Sequence, residues 1–388
     1  SVDLELKNPN RKLWFFPMLF GLLGGFMGLF LRYVYTGELS GNFVLKNLLH
    51  SHSHVMLLGF IFNALVSIVW LHFTKRIAKK TYWLYVLLQF CVAILLVGFI
   101  IQGYAVYTII FSTLHLWISY ILLIRIWKQL QGEKSILFLV KTGILFHFIA
   151  SIGPYALGPL KVLGFEHSPW YQQSIYFYLH FQYFGSFFLW MLAVLLKQIR
   201  IQLCKEQLYA ILVSLVLLFS HSLDFSFDHW LINLTGAMGA LLLFGLFFQL
   251  KIEVFRNTVG QKYRLFFCAL MFILFLNIFG SVPFFSDLVV ENRFLLIAWL
   301  HLLFLGVYLP FIWLESPRSI SKYIWVNYIV FVVLTEIILV FPNELASVFS
   351  ISSMMLLFIS YFGVVLCISV VHLNFLIETV INELTTTR

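Results

Sequence analysis

Unbroken apolar runs of about 20 residues recur along this 388-residue chain. At about 1.5 Å rise per residue, a helix of that length crosses the hydrocarbon of a bilayer. The runs do not alternate apolar with polar, so they read as helices rather than barrel strands. Lipid cannot satisfy backbone N–H and C=O groups, and a helix satisfies its own.

Composition excludes an ordinary soluble domain. Charged residues make up only 11% of the chain, against the ~25% that usually covers a water-facing surface. The expected fold class is all-α: a polytopic transmembrane bundle of about twelve helices, one integral membrane domain over residues 1–388. The spans fall near 12–35, 49–73, 81–103, 104–128, 135–157, 170–197, 206–223, 227–250, 263–286, 292–314, 321–342 and 351–378. Gln102-Gly103-Tyr104 leaves only a very tight turn between the third and fourth.

The net charge of +9 does not point to nucleic acid, because the basic residues are sorted by loop. One set of alternate loops holds Lys7, Arg11, Lys12, Lys75, Arg76, Lys79, Lys80, Arg125, Lys128, Lys134, Lys197, Arg200, Lys205, Lys251, Arg256, Lys262, Arg264, Arg318, Lys322 and Arg388. The opposite set holds only Arg32, Lys46, Lys161 and Arg293, and Lys141 lies within a span. This positive-inside pattern predicts cytoplasmic N and C termini and an even number of spans, in a bacterial inner membrane. No small-residue cleavage site follows Lys7–Lys12, so no cleaved signal peptide is expected. Cys91, Cys204, Cys268 and Cys367 are scattered without a CxxC pair, which predicts neither a disulfide framework nor a thiolate metal site. No soluble domain, low-complexity linker or convincing internal repeat is evident.

Chemistry in such a chain must sit inside the bundle or at its rim, and intramembrane ionisable residues are functional candidates by default. Twelve histidines occur. On the predicted topology His50, His52 and His54 open span 2 at the outer face. His180 and His301 lie about ten residues into spans 6 and 10. His221 is near the outer end of span 7, His147 in the outer half of span 5 and His115 near the middle of span 4. At helix ends and in loops, His50, His72, His167, His229 and His372 suit capping, snorkelling or water contacts. His54, His180 and His301 suit ligation, with His115, His147 and His221 balanced between the two roles. Neutral imidazoles from several spans in one half of the bilayer suit haem iron or copper. His54 and His301 are each followed by Leu-Gly (Leu58-Gly59, Leu305-Gly306), and the glycine would admit a flat macrocycle or a close helix.

The span count, topology and histidine positions resemble the catalytic subunit I of the haem-copper oxidase superfamily. The likeness is greatest to its C-type oxidase, nitric oxide reductase and nitric-oxide-response relatives. The resemblance implies that His54, or His52, and His301 ligate a low-spin haem b. His180 in Tyr178-Leu179-His180-Phe181-Gln182 and His221 in Ser220-His221-Ser222 correspond to copper ligands. Trp299 stands where the family has a high-spin haem ligand, and Ser222 where it has a second copper histidine. His115 or His147 would then be the substitutes. Arg32 and Arg293 at the outer rim suit haem propionates, and Lys141 and Glu336 a proton path. Glu166, Asp224 and Asp228 suit second-shell partners.

Two functions follow as expectations. One is a haem-binding electron-transfer or gas-responsive protein in the lipid bilayer, served by a quinol or cytochrome donor or a partner membrane subunit; if it is an enzyme, it is an oxidoreductase of the terminal oxidase or nitric oxide reductase type. The other is a transition-metal transporter with an outer-face histidine cluster. The apolar stretches Leu189–Leu196 and Gly306–Leu314 weigh against the second.

Overall fold

The computed structural model describes residues 5–386, which leaves Arg388 of the basic set outside them. Twelve helices are long and apolar enough to cross a membrane: α1 (Pro9–Tyr35), α2 (Leu45–Phe73), α3 (Lys79–Gln102), α4 (Val106–Gln129), α5 (Lys134–Val162), α6 (Pro169–Ile199), α7 (Lys205–Asp224), α8 (Trp230–Arg256), α9 (Val259–Phe279), α10 (Arg293–Glu315), α11 (Lys322–Val340) and α12 (Ser353–Thr385). The chain is thus an integral membrane helical protein.

Local chemistry sets the helix ends. Proline, whose missing N–H costs nothing in a first turn, opens α1 and α6. The Asn292 side chain accepts from Phe294 N–H at the head of α10, and Ser321 accepts from Ile324 N–H at the head of α11. Glu133 caps α5 by accepting from the N–H groups of Ser135 and Ile136; the Ser135 hydroxyl, which donates to the same carboxylate, does most to hold its carboxyl below the usual glutamate range, and the backbone bonds add to it. The tight α3–α4 turn is made by Gly103 at φ +62, a left-handed conformation that a side chain resists. The sequence places span 9 at 263–286, but α9 ends at Phe279. Pro283 starts a separate short helix, Pro283–Glu291, because proline cannot continue the preceding one.

The backbone divides into two compact units, residues 1–129 with 308–388, and residues 130–307. In the first, α1 packs along α12 and against the middle of α2, α3 pairs with α4, and α11 with α12. Glycines on α1 let side chains approach its backbone: a Cβ on Gly21 would lie 2.6 Å from His372 Cε1, and one on Gly28 2.6 Å from His52 Cε1. In the second unit α5 packs on α6, α7 on α8, and α8 on α9.

α2 and α6 are the helices most enclosed by protein, with 78% and 94% of their apolar windows buried. They carry His54 and His180, so two of the candidate ligands sit on helices shielded from lipid. Large apolar side chains such as Val106, Trp117 and Val162 point outward, as lipid-facing positions require.

Candidate functional site

The same local distortion recurs at three histidines. α2 widens into a π-helical segment at Val55–Phe62, directly after His54. α6 does so at Gln182–Ser186, two residues after His180, with Phe184 leaving helical geometry at φ −111, ψ 26. α10 does so at Phe304–Tyr308, three residues after His301. Pro310 lacks the N–H that would bind the carbonyl four residues back, and this loosens α10 there. Each segment contains the glycine that follows its histidine by five residues: Gly59, Gly185 and Gly306. Such π segments interrupt the regular ladder and are frequent at functional sites. The three helices are spaced four spans apart. This periodicity was missed in the sequence, where no repeat is evident; the shared His-x4-Gly spacing was the signal that could have shown it.

His54 has the geometry of a ligand held ready. Its Nδ1 lies 2.8 Å from the His50 carbonyl oxygen, and a carbonyl only accepts, so Nδ1 carries the proton. Nε2 is left with its lone pair. Hydrogen bonding of the far nitrogen to a backbone carbonyl is the usual support of a metal-bound imidazole, because it fixes tautomer and ring plane. The ring lies against Phe99, with centroids 4.3 Å apart and planes tilted by 33°, and near the edge of Tyr104 at 6.1 Å. His52, the alternative, points to α1. Its Nδ1–H donates to Gly24 O at 2.9 Å. The contact with Gly28 shows it packed into the glycine face, so His54 is the better ligand of the two.

In the second unit the ring of Phe219, two residues before His221, lies 5.4 Å from that of His180. His180 Nε2–H donates to Leu215 O at 2.8 Å, and its ring is enclosed by Phe181, Tyr183, Phe184 and Phe219. His221 Nε2 is 2.7 Å from the Ser281 hydroxyl. His147 Nδ1 is 3.0 Å from the Gln182 amide. His115, buried in α4 beside Phe62, belongs to the other unit. His301 is half-buried.

Trp299 donates its indole N–H to Asn277 Oδ1 at 3.2 Å and lies against Tyr183 and Phe184. Aromatic packing therefore fills the position where the resemblance expects a high-spin haem ligand. Ser222 supplies no imidazole where the resemblance has a second copper histidine, while His180 and His221 are each hydrogen-bonded through Nε2, to the Leu215 carbonyl and the Ser281 hydroxyl.

The remaining candidates are placed as follows. The Arg32 guanidinium stacks 5.0 Å over the Tyr361 ring, and Arg293 is exposed in the first turn of α10. Glu336 lies four residues from the end of α11 rather than at its middle; its Oε1 is shielded from solvent without a hydrogen bond. Lys141 is half-buried in α5. Glu166 is 3.6 Å from His167 in an exposed pair. His229 caps α8 by accepting from Leu231 N–H, as a helix-end histidine should. His372 is no helix-end snorkel but a core residue. Its Nδ1–H donates to Met18 O at 2.9 Å and its Nε2 accepts from Trp313 at 3.1 Å.

Sequence reasoning also missed a buried polar column beneath His54. Asn63 and Gln89 form a reciprocal amide pair between α2 and α3, and Asn63 also donates to Gly59 O at 2.7 Å. Further along, Ser67 and Tyr85 are 3.0 Å apart, and both donate to Leu13 O on α1. Polar residues four apart inside apolar runs, Asn63 with Ser67 and Tyr85 with Gln89, were the signal available. His72 and Glu315 then pair at 3.0 Å in a cavity of about 140 Å³ at the basic end of the same unit.

Neither a scan against known protein families nor a search of curated proteins finds a match to this chain.

Proposed function

We propose that this chain is a haem-binding membrane protein related to the haem-copper oxidases, holding a low-spin haem b and serving electron transfer or a response to oxygen or nitric oxide. The observation that carries the reading is His54: a largely enclosed imidazole with its Nδ1 proton committed to the His50 carbonyl and Nε2 left as a nitrogen ligand. The recurrence of the same histidine, glycine and π-segment arrangement at His301 supports that residue as a further candidate haem ligand.

A haem held by these imidazoles would supply one-electron chemistry. The protein's part is to hold and tune it. The His50 carbonyl makes the His54 imidazole a stronger donor by pulling on Nδ1–H. Phe99 fixes the ring plane and adds apolar cover, which keeps water from the ligand nitrogen. Electrons would come from a quinol, a cytochrome or a partner membrane subunit. The charge pattern supports a bacterial inner membrane with cytoplasmic termini. The transporter reading has less support, because the run Phe187–Leu196 of α6 is apolar and buried throughout.

The test is an optical spectrum of protein purified after haem-replete expression. A low-spin Soret band is expected, lost in His54→Ala and in His301→Ala. A wild-type protein that folds and has no Soret band would overturn the proposal.

A further inference from the structure

Lys46, His50 and His54 succeed one another at intervals of four residues on α2. That spacing puts all three on one face, each about 6 Å further along the axis. Lys46 is exposed and is the charge that acts on His50. His50 is half-buried, and its Nε2 is shielded from solvent with no hydrogen-bond partner among the described residues. The Tyr104 ring stands edge-on to His50 at 4.7 Å, and Phe99 lies 6.0 Å from it as well as against His54. One aromatic wall therefore serves both imidazoles.

A shielded ring nitrogen without a partner is costly and suits a hydrogen-bonding group. The stripe gives that group's chemistry by its order: a cation at the water-facing end, a neutral donor below it, and a metal-ligating nitrogen deepest. A molecule that matches is flat and apolar in its body, metal-bearing at its centre and anionic along one edge. Arg32 and Arg293, the rim cations expected to serve this purpose, are stacked on Tyr361 and exposed in the first turn of α10, respectively.

We propose that His50 and Lys46 anchor the carboxylate edge of the porphyrin whose iron His54 ligates. Nε2–H of His50 donates to one propionate, and Lys46 supplies the opposing charge at the rim. Both act as positioning residues: they fix how deeply the ring sits along α2. The inference rests on the haem reading above.

The test titrates the full-length detergent-solubilised protein with iron protoporphyrin IX and, separately, with its dimethyl ester, which lacks the carboxylates. Wild type should bind the diacid about ten- to a hundredfold more tightly than the diester. His50→Phe and Lys46→Gln should each weaken the diacid towards the diester and leave diester binding and the low-spin spectrum unchanged. His50→Gln, which keeps a donor, should restore part of the preference. Lys46→Gln changes an exposed residue and carries the test if His50→Phe does not fold. Equal affinity of wild type for the two porphyrins, or equal weakening of both by the variants, overturns the anchoring and leaves the haem reading standing. No Soret band with either porphyrin overturns both.

Discussion

Replacing Asn63 by leucine isolates the contribution of the buried amide pair. Asn63 is 0% and Gln89 3% exposed, so neither can turn to solvent. In the wild type Asn63 Nδ2 reaches Gly59 O and Gln89 Oε1, and Gln89 Nε2 reaches Asn63 Oδ1 at 3.0 Å and Tyr85 O at 2.9 Å. Asn63→Leu strands Gln89 Oε1 and one of its two N–H donors, while the bond to Tyr85 survives. At about 1–3 kcal/mol for each stranded group, the single substitution should cost about 2–5 kcal/mol. Gln89→Leu should cost a similar amount. The double replacement strands neither amide and should lie within about 1–2 kcal/mol of wild type. Interhelical hydrogen bonds in membranes couple by about 0.6 kcal/mol on average and up to about 1.7. Single costs of about 2–5 kcal/mol each against about 1–2 kcal/mol for the double give a coupling of at least about 2 kcal/mol, above that range because two bonds are lost and each single variant strands a buried partner. Steric trapping in bicelles measures each corner of the cycle. Single variants as stable as wild type, or a coupling of zero, would show that the amide pair does not hold α2 to α3.

Gly21→Ala should destabilise the first unit by about 1–3 kcal/mol, seen as a lower melting point in detergent, because the new methyl meets His372 Cε1 at 2.6 Å and that ring is pinned by Met18 and Trp313. Trp299→His should leave the low-spin spectrum unchanged and add no high-spin band, since the indole site is filled by Tyr183 and Phe184; a new high-spin signal in the haem-loaded variant would refute this. Glu133→Ala should cost about 0.5–2 kcal/mol at neutral pH through loss of the cap. The Glu133 carboxyl is held below its ordinary value near 4.5, so this stabilisation is full above that pH and is lost as pH falls through the lowered folded value. The difference between wild type and Glu133→Ala should therefore shrink on acidification below about pH 4.5, and a gap that widened there would contradict the capping role.

Most of the bundle was legible in the sequence because membrane solvent imposes length and apolarity on each span. All twelve spans read from hydropathy overlap the helices found; the ends of α5, α8 and α12 run further than expected, and α9 stops short because Pro283 starts a new helix. The side-chain chemistry was less legible. His372 reads as an ordinary helix-end residue, yet Gly21 opens a slot for it on another helix, and no local pattern announces such a pairing. The setting of His50 has the same character: the rings beside it, Phe99 and Tyr104, come from about fifty residues away. Hydropathy reports which residues meet lipid. It does not report which face of an enclosed helix meets which neighbour.

The π segment of α2 has a consequence for how this chain can vary in length. A π segment accommodates an extra residue within an otherwise α-helical stretch, so everything beyond Phe62 is turned by about 100° relative to a regular helix. His54 lies before the distortion, and Asn63 and Ser67 lie after it. Removing one residue from Val55–Phe62 would let α2 relax to a regular helix and would leave His54 where it is. Asn63 and Ser67 would keep their directions towards Gln89 and Tyr85, because the widened turn is what absorbs the extra residue. In α2, then, the stretch between the imidazole and the polar column is where the helix can lose one residue, whereas the same deletion between Asn63 and Ser67 would turn Ser67 about 100° away from Tyr85.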